Sequence, residues 1–227
     1  MYAVESERAR ASHRGRESAA PRLREARAED AAACAPLIFA SGVREFGFFL
    51  GERDNRCIAF LAFAFASKHG RFSYRRHRVA VTDSDKVVAV LAIHDGRTTW
   101  FDDPHVALML LIFFGVRRTV GMLLRGLVLE SELPAPKAAQ TLIAHCATAE
   151  QMRSKGVFSA LFADAQRAAG MHGEPNRQIV LDVLVSNRRA YELYRRLGFV
   201  ELPRRAPVSS RLPRALESVR MQLMRRD

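Results

Sequence analysis

The sequence predicts an α/β protein, because strand-like and helix-like segments alternate along it. Residues 140–148 read as a strand, and a loop at 153–156 joins them to a helical pattern. Residues 179–185 are almost all isoleucine, valine or leucine, which is typical of a strand buried on both faces. Residues 78–82 and 87–94 favour strands and flank an Asp-Ser-Asp turn. These features predict a sheet that packs against helices.

The other elements follow from composition and apolar spacing. Residues 46–66 are rich in phenylalanine in a helical pattern, and we expect their side chains to form a core or the wall of a pocket. We also expect a first strand at residues 22–26, a helix at 30–40, an apolar helical insertion at 104–130 before the central strand, and a closing strand at 218–224.

The chain is strongly basic, with a net charge of +12. Residues 1–27 contribute +3 and residues 202–227 contribute +5, so most of the excess lies outside the central part. We expect residues 1–21 to form a disordered basic extension, because their apolar residues follow no helix or strand period. We expect residues 22–227 to form a single domain. No nucleic-acid recognition motif is visible and few aromatic residues lie among the basic ones, so the sequence disfavours a nucleic-acid partner.

Cysteine usage and hydropathy indicate the compartment. Cys34, Cys57 and Cys146 are odd in number and lack the spacing of metal ligands. We therefore expect reduced thiols, no metal and a cytoplasmic location. The N-terminal arginines are not followed by the apolar stretch of a signal peptide. The most lipid-like run, residues 106–116, is shorter than the about 20 residues of a spanning helix, so we expect no membrane partner.

The loop from Arg153 to Gly156 opens a helix and is suited to bind phosphate. Main-chain N–H groups at the start of a helix have no partner within it, and the helix dipole is positive at that end. Arg153 and Lys155 add positive charge at the same place. Taken alone, this is a weak pattern.

A second pattern follows about thirty residues later. Ser186 or Asn187 can cap a short helix. Ala190, Leu193 and Tyr194, with Leu197 one turn later, fall at helical spacing and share an inward face. Gly198 stands where a helix ends in a left-handed conformation.

Together the two patterns resemble the GCN5-related N-acetyltransferase (GNAT) superfamily. Its acetyl-CoA motif, Q/R-x-x-G-x-G/A, is similar to Arg153-x-x-Gly156-x-Phe158. Its second signature, N-x-x-A-x-x-L-Y-x-x-x-G-F, is matched at every marked position from Asn187 to Phe199. The strong match covers about residues 140–200. Phe158 departs from the motif's final small residue: it could crowd the pyrophosphate, or it could turn into the core and leave its N–H available.

The resemblance implies a mixed, mostly antiparallel central sheet flanked by helices, with acetyl-CoA as cosubstrate. The two motif strands would run parallel and splay apart, with the pantetheine arm between them and the pyrophosphate on the loop. Asn187 would both cap its helix and reach the pantetheine arm. The implied cofactor-binding residues are Cys146, Ala147, Thr148, Arg153, Ser154, Lys155, Gly156, Val157, Phe158, Ser159 and Asn187.

The resemblance also implies transfer of the acetyl group to an amine of a small molecule or protein, by direct attack in a ternary complex. Tyr194 is the candidate general acid, since a phenol suits a thiol leaving group. His145, on the central strand, is the candidate base. Glu130, Glu132 and water remain alternatives for the base.

Two other functions stay open. The chain could be a non-catalytic acyl-CoA-binding regulatory module, which the bulky Phe158 and the undetermined base motivate. It could instead be an interaction protein that binds nucleic acid through its basic ends. The oligomeric state also stays open, a homodimer included.

Overall fold

The computed structural model describes residues 20–99, 102–168, 177–204 and 208–224. The expected disordered extension therefore lies outside the described residues, apart from its last two positions. Within these ranges, seven strands form one mixed sheet in the order β1-β2-β3-β4-β5-β7-β6. The strands are β1 (Arg22–Glu25), β2 (His77–Val81), β3 (Val87–Asp95), β4 (Gln140–Thr148), β5 (Gln178–Leu184), β6 (Phe199–Glu201) and β7 (Ser218–Leu223).

Helices cover both faces of this sheet. They are α1 (Ala31–Ser41), α2 (Val43–Leu50), α3 (Asp54–Phe65), α4 (Asp102–Phe114), α5 (Val116–Glu130), α6 (Val157–Ala168) and α7 (Arg188–Arg196). The helices from α1 to α5 contribute to one apolar core, and α6 and α7 contribute to the other. Because side chains alternate along a strand, Val79 and Val90 face the first core, whereas Ala80 and Leu91 face the second.

The predicted mixed, mostly antiparallel sheet is confirmed. The hairpin of β2 and β3 forms around the expected turn, and the first and closing strands lie where the sequence indicated. The two long helical segments are each divided in two. Gly51, with φ of 63°, separates α2 from α3, and Gly115, with φ of 76°, separates α4 from α5. Both glycines have a positive φ, which other residues rarely adopt, so the chain turns there.

Strands β4 and β5 form the parallel pair, and they stay paired over a short distance only. Their ladder joins Gln140 to Gln178, Thr141 to Ile179 and Leu142 to Val180, and ends there. Beyond Leu142 the two strands separate. The sheet therefore opens toward their carboxyl ends, as the family resemblance implied.

A bulge in β4 accompanies this opening. Ala92 pairs with Ala144 and Val90 pairs with Ala147, so two residues of β4, His145 and Cys146, stand opposite one residue of β3. His145 has φ of 52°, a left-handed conformation that is uncommon for residues other than glycine. A bulge of this kind bends its strand and redirects its side chains.

No single helix in the described ranges is long and apolar enough to cross a bilayer. The segments 28–41 and 43–50 reach the required length and composition only as a pair, and they are bent by 98° relative to each other.

Candidate active site

The loop before α6 turns through two left-handed residues. Ser154 has φ of 61° and Gly156 has φ of 76°. A Cβ on Gly156 would meet no atom within 4 Å, so the backbone is open to solvent there. In the described part of the chain, the main-chain N–H groups of Val157, Phe158 and Ser159 have no hydrogen-bond acceptor. Three unpaired donors at a helix N-terminus form a site suited to an anion.

The basic residues of the loop have different roles. Arg153 is held against the end of β4, because its Nε donates to the carbonyl oxygen of Thr148 at 3.2 Å. Lys155 is exposed beside the open amides and forms no ion pair with a described residue. Arg189 of α7 reaches Ser154 Oγ at 3.4 Å and brings another guanidinium to the same place. The loop thus combines unpaired N–H donors with positive charge.

Phe158 points away from the loop and into the core. Its side chain is buried, its ring stacks on Phe162 with centroids 6.4 Å apart, and it meets Tyr194 edge-on at 6.1 Å. The bulky residue therefore fills the space under α6, while its N–H remains at the helix start.

Tyr194 lies in the core on the α6–α7 side of the sheet, against which Cys146 of β4 packs. The Tyr194 ring contacts Phe158 and Phe199, and its hydroxyl lies near the Cys146 thiol. Burial, with the adjacent thiol, raises the pKa of Tyr194 well above its usual value, so the phenol holds its proton. Burial also raises the pKa of Cys146 to about 12, so the thiol is protonated near neutral pH.

His145 is oriented by a chain of hydrogen bonds. His145 Nδ1 lies 3.0 Å from Nε2 of His77, and Nδ1 of His77 lies 2.8 Å from the carbonyl oxygen of Ser73. A carbonyl oxygen only accepts, so Nδ1 of His77 carries the hydrogen and its Nε2 accepts. His145 must then donate from Nδ1. This assignment leaves a lone pair on Nε2 of His145, which has no hydrogen-bond partner among the described residues.

A third histidine, His94, stands next to this pair. Its side chain is 2% exposed, and neither ring nitrogen has a hydrogen-bond partner in the described structure. The His94 ring meets the His145 ring edge-on, with centroids 5.8 Å apart. Burial lowers the pKa of His77 to about 4 and lowers the pKa values of His94 and His145 well below 6.5. All three imidazoles are therefore neutral near pH 7.

His94 and His145 line a cavity of about 410 Å³ on the α1–α5 side of the sheet. The cavity has the size of a small-molecule site. Apolar and aromatic side chains dominate its wall. They include Phe46, Phe49, Phe72, Val106, Leu123 and Leu127.

Four carboxylates also line the cavity. Asp103 is paired with Arg71 at 2.8 Å, and Asp182 is paired with Arg220 at 2.7 Å. The other two, Glu45 and Glu130, form no ion pair with a described residue. Burial raises the pKa of the Glu45 carboxyl.

Glu132, one of the alternative bases, lies outside this cavity. Its carboxylate accepts hydrogen bonds from Arg204 at 2.8 and 2.9 Å and from the Ser218 N–H at 2.7 Å. Burial alone would raise its pKa, but these hydrogen bonds hold the pKa below its usual value. Glu132 thus joins the insertion to β7, and this contradicts a role as base.

The structure brings most of the sequence-derived site residues to one opening. Cys146, Ala147 and Thr148 occupy the part of β4 that has left β5. Of the two predicted cap residues, Asn187 caps α7, because its side-chain oxygen accepts from the N–H of Ala190 at 3.2 Å. Its contact with a pantetheine arm stays a prediction.

Sequence reasoning missed His77 and His94. His77 pairs with Ala92 across the hairpin, and His94 pairs with Leu142 of β4, so the sheet register brings both histidines close to His145. The only available signal was a histidine at the start of one hairpin strand and another at the end of its partner. No group of three or more His, Cys, Asp or Glu residues in the described ranges has an arrangement that could hold a metal ion.

Comparisons with known proteins point to one family. The family model described as "Acetyltransferase (GNAT) family" matches residues 16–199. An N-acetyltransferase from Staphylococcus aureus Mu50 has a similar structure, with a TM-score of 0.64 and 15% identity over 89% of this chain and 98% of that chain. No curated protein matches this sequence.

Two further solved structures have the same fold. One, named only as an acetyltransferase, gives a TM-score of 0.61 at 17% identity, over 89% of this chain and 98% of that one. The other, named "histone acetyltransferase HPA2 and related acetyltransferase", comes from Corynebacterium glutamicum ATCC 13032. It gives a TM-score of 0.57 at 19% identity, over 90% and 96% of the two chains.

Gly156→Asp tests the loop as a phosphate site. The substitution places a carboxylate beside the three open amides, so we expect it to weaken coenzyme A binding by about tenfold or more through like-charge repulsion. Isothermal titration calorimetry measures the change.

Gly156→Ala is the matched control, because it carries the same left-handed strain without the charge. We expect Gly156→Ala to retain more affinity than Gly156→Asp. Equal affinities for the two variants, or wild-type affinity for Gly156→Asp, would contradict a phosphate site at this loop.

Proposed function

The chain belongs to the acetyltransferase (GNAT) family and is therefore an acyltransferase. We propose that it transfers the acetyl group of acetyl-CoA to an amine in a ternary complex. One observation carries this proposal: the part of β4 that has left β5 contains His145, which lines a cavity and has an unpaired ring nitrogen, and it leads into the loop with the open amides. A donor held at the loop and an acceptor held in the cavity would meet at Tyr194 and His145.

The donor would lie along the separated part of β4. Its pyrophosphate would accept hydrogen bonds from the N–H groups of residues 157–159, with Lys155 adding charge. Its pantetheine arm would pair with the main chain of residues 146–148, which has no β5 partner. Asn187, at the start of α7, would contact the same arm.

The acceptor amine attacks the thioester carbonyl carbon only as a neutral nitrogen. As the C–N bond forms, that nitrogen becomes acidic, and Nε2 of His145 would take its proton. The Nδ1–H of His145 would then donate to His77, whose own Nδ1–H donates to Ser73, so the chain of hydrogen bonds supports the new positive charge. The C–S bond breaks, and the leaving thiolate would receive the proton of the Tyr194 hydroxyl.

The two features that favoured a non-catalytic binding module, the bulky Phe158 and the undetermined base, no longer favour it. Phe158 fills the core and leaves the loop open, and His145 offers a base. The protonated Cys146 thiol disfavours transfer through an acyl-cysteine, because a thiol is a weak nucleophile unless it ionises. Direct transfer is therefore the simpler route.

Release of coenzyme A thiol, measured with acetyl-CoA and a panel of amines, tests the proposal. An absence of release with every amine, although coenzyme A binds, would favour the module.

Tyr194→Phe removes the proposed general acid while keeping its packing. We expect kcat to fall by about a hundredfold and the dissociation constant for acetyl-CoA to change little, because the ring still fills its place. Stopped-flow thiol detection and calorimetry measure the two quantities.

Tyr191→Phe is the control on the same helix, since the Tyr191 hydroxyl lies outside the opening and donates to exposed Glu201 at 3.2 Å. We expect it to behave as wild type. A Tyr194→Phe enzyme with wild-type kcat, under conditions in which chemistry limits the rate, would remove Tyr194 from the mechanism.

The pH dependence of kcat tests His145. The neutral imidazole is the base, and its pKa lies well below 6.5. We therefore expect kcat to stay on its plateau at pH 6.5 and to fall only at lower pH, as His145 gains a proton in the complex. His145→Gln should lower kcat by about a hundredfold and abolish this acid limb.

His69→Gln provides the control, because His69 is exposed and does not line the 410 Å³ cavity. It should leave the profile unchanged. An acid limb that persists in His145→Gln would assign the base to another group or to water.

A further inference from the structure

We infer that the acceptor is an apolar primary amine, such as an arylalkyl or alkyl amine, whose nitrogen lies between His145 and His94. The inference rests on the proposed function, and it assigns a substrate class to the 410 Å³ cavity. Four features of the cavity wall support it.

The first feature is the apolar wall around the reactive imidazole. Phe72 stacks on the His145 ring with centroids 5.5 Å apart, and Phe46 packs against the same ring at 6.0 Å. Phe49 and Val106 continue this surface. A ligand body here would touch mainly carbon, so its burial would contribute binding free energy in proportion to its apolar area.

The second feature is the apolar entrance. Leu123 and Leu127 of α5 line the cavity and are also 39% and 66% exposed. Both leucines therefore offer apolar surface to the solvent and to the cavity. Exposed leucines at the mouth of a cavity favour a ligand with an apolar body over a polar chain.

The third feature is the shortage of free negative charge. Of the four cavity carboxylates, Asp103 and Asp182 are already neutralised by arginines. Glu45 and Glu130 remain to attract one ammonium group. A polyamine carries several cations, each of which would need a counter-charge when buried. The wall therefore fits one amine group on an uncharged body.

The fourth feature is the unpaired His94. A buried imidazole without a hydrogen-bond partner carries a desolvation cost that a ligand can offset. His94 and His145 line the same cavity with ring centroids 5.8 Å apart, which is close enough for one ligand nitrogen to contact both rings. A primary amine has a second N–H to donate to the unprotonated nitrogen of His94. The apolar surroundings lower the pKa of the bound ammonium, which favours the neutral, attacking form.

A series of amines tests the apolar body. Thiol release from acetyl-CoA would be measured with n-propylamine to n-octylamine, with 2-phenylethylamine, with spermidine and with a lysine-containing peptide. We expect kcat/KM to rise by about fourfold per added methylene until the cavity is filled. We also expect 2-phenylethylamine to exceed spermidine and the peptide.

The outcomes separate the two levels of the proposal. If thiol release is fastest with spermidine or the peptide, or does not depend on alkyl length, the acceptor is not an apolar amine. The proposed acetyltransferase function would still hold. No release with any amine, although acetyl-CoA binds, would overturn the proposed function itself.

Leu127→Glu places a carboxylate in the cavity wall. We therefore expect kcat/KM to rise less steeply with alkyl length than in the wild type. Leu124→Glu is the matched control, because Leu124 is on the same helix, is 61% exposed and does not line the cavity. It should leave the alkyl series unchanged. Equal effects of the two variants would contradict the assigned entrance.

N-methylation of the substrate tests His94. In the wild-type enzyme we expect kcat/KM for benzylamine to exceed that for N-methylbenzylamine by about tenfold. We expect this ratio to fall close to one in His94→Phe, because phenylalanine has no hydrogen-bond acceptor for the second N–H. His94→Gln retains a side-chain oxygen and should recover part of the ratio. Thermal unfolding confirms that both variants are folded. The same ratio in wild type and His94→Phe would overturn the role of His94.

Discussion

One bulge in β4 controls the geometry of the whole site. It sets His145 and Cys146 opposite Leu91 and gives His145 a left-handed backbone. The same distortion coincides with the departure of β4 from β5, which have no ladder beyond Leu142. The strand thus provides both an unpaired main chain for a donor and an inward imidazole for an acceptor. A regular strand would send successive side chains to opposite faces and keep the ladder closed.

The left-handed residue is stabilised by its surroundings. Such a conformation costs about 1–2 kcal/mol for a non-glycine residue and persists only where neighbours hold it. Here His77 lies within hydrogen-bond distance of the His145 ring, and Phe72 stacks on its face. These contacts also fix the tautomer on which the proposed base depends. The strained backbone and the reactive nitrogen therefore have one structural cause.

Local patterns made part of this structure predictable. The helical spacing around Tyr194, the cap at Asn187 and the hairpin depend on neighbours in sequence, and the structure has all three. The orientation of Phe158 and the cluster of His77, His94 and His145 depend on contacts between distant segments. Because register and bulge position are set by the assembled sheet, a strand-like sequence alone left these features undetermined.

A crystal structure of the chain with coenzyme A would test the central claim most directly. We expect pyrophosphate oxygens within about 3.2 Å of the main-chain nitrogens of residues 157–159, and the sulfur in the opening between β4 and β5, facing Tyr194 and His145. A coenzyme bound away from the α6 loop, or a sulfur outside this opening, would contradict the proposed site.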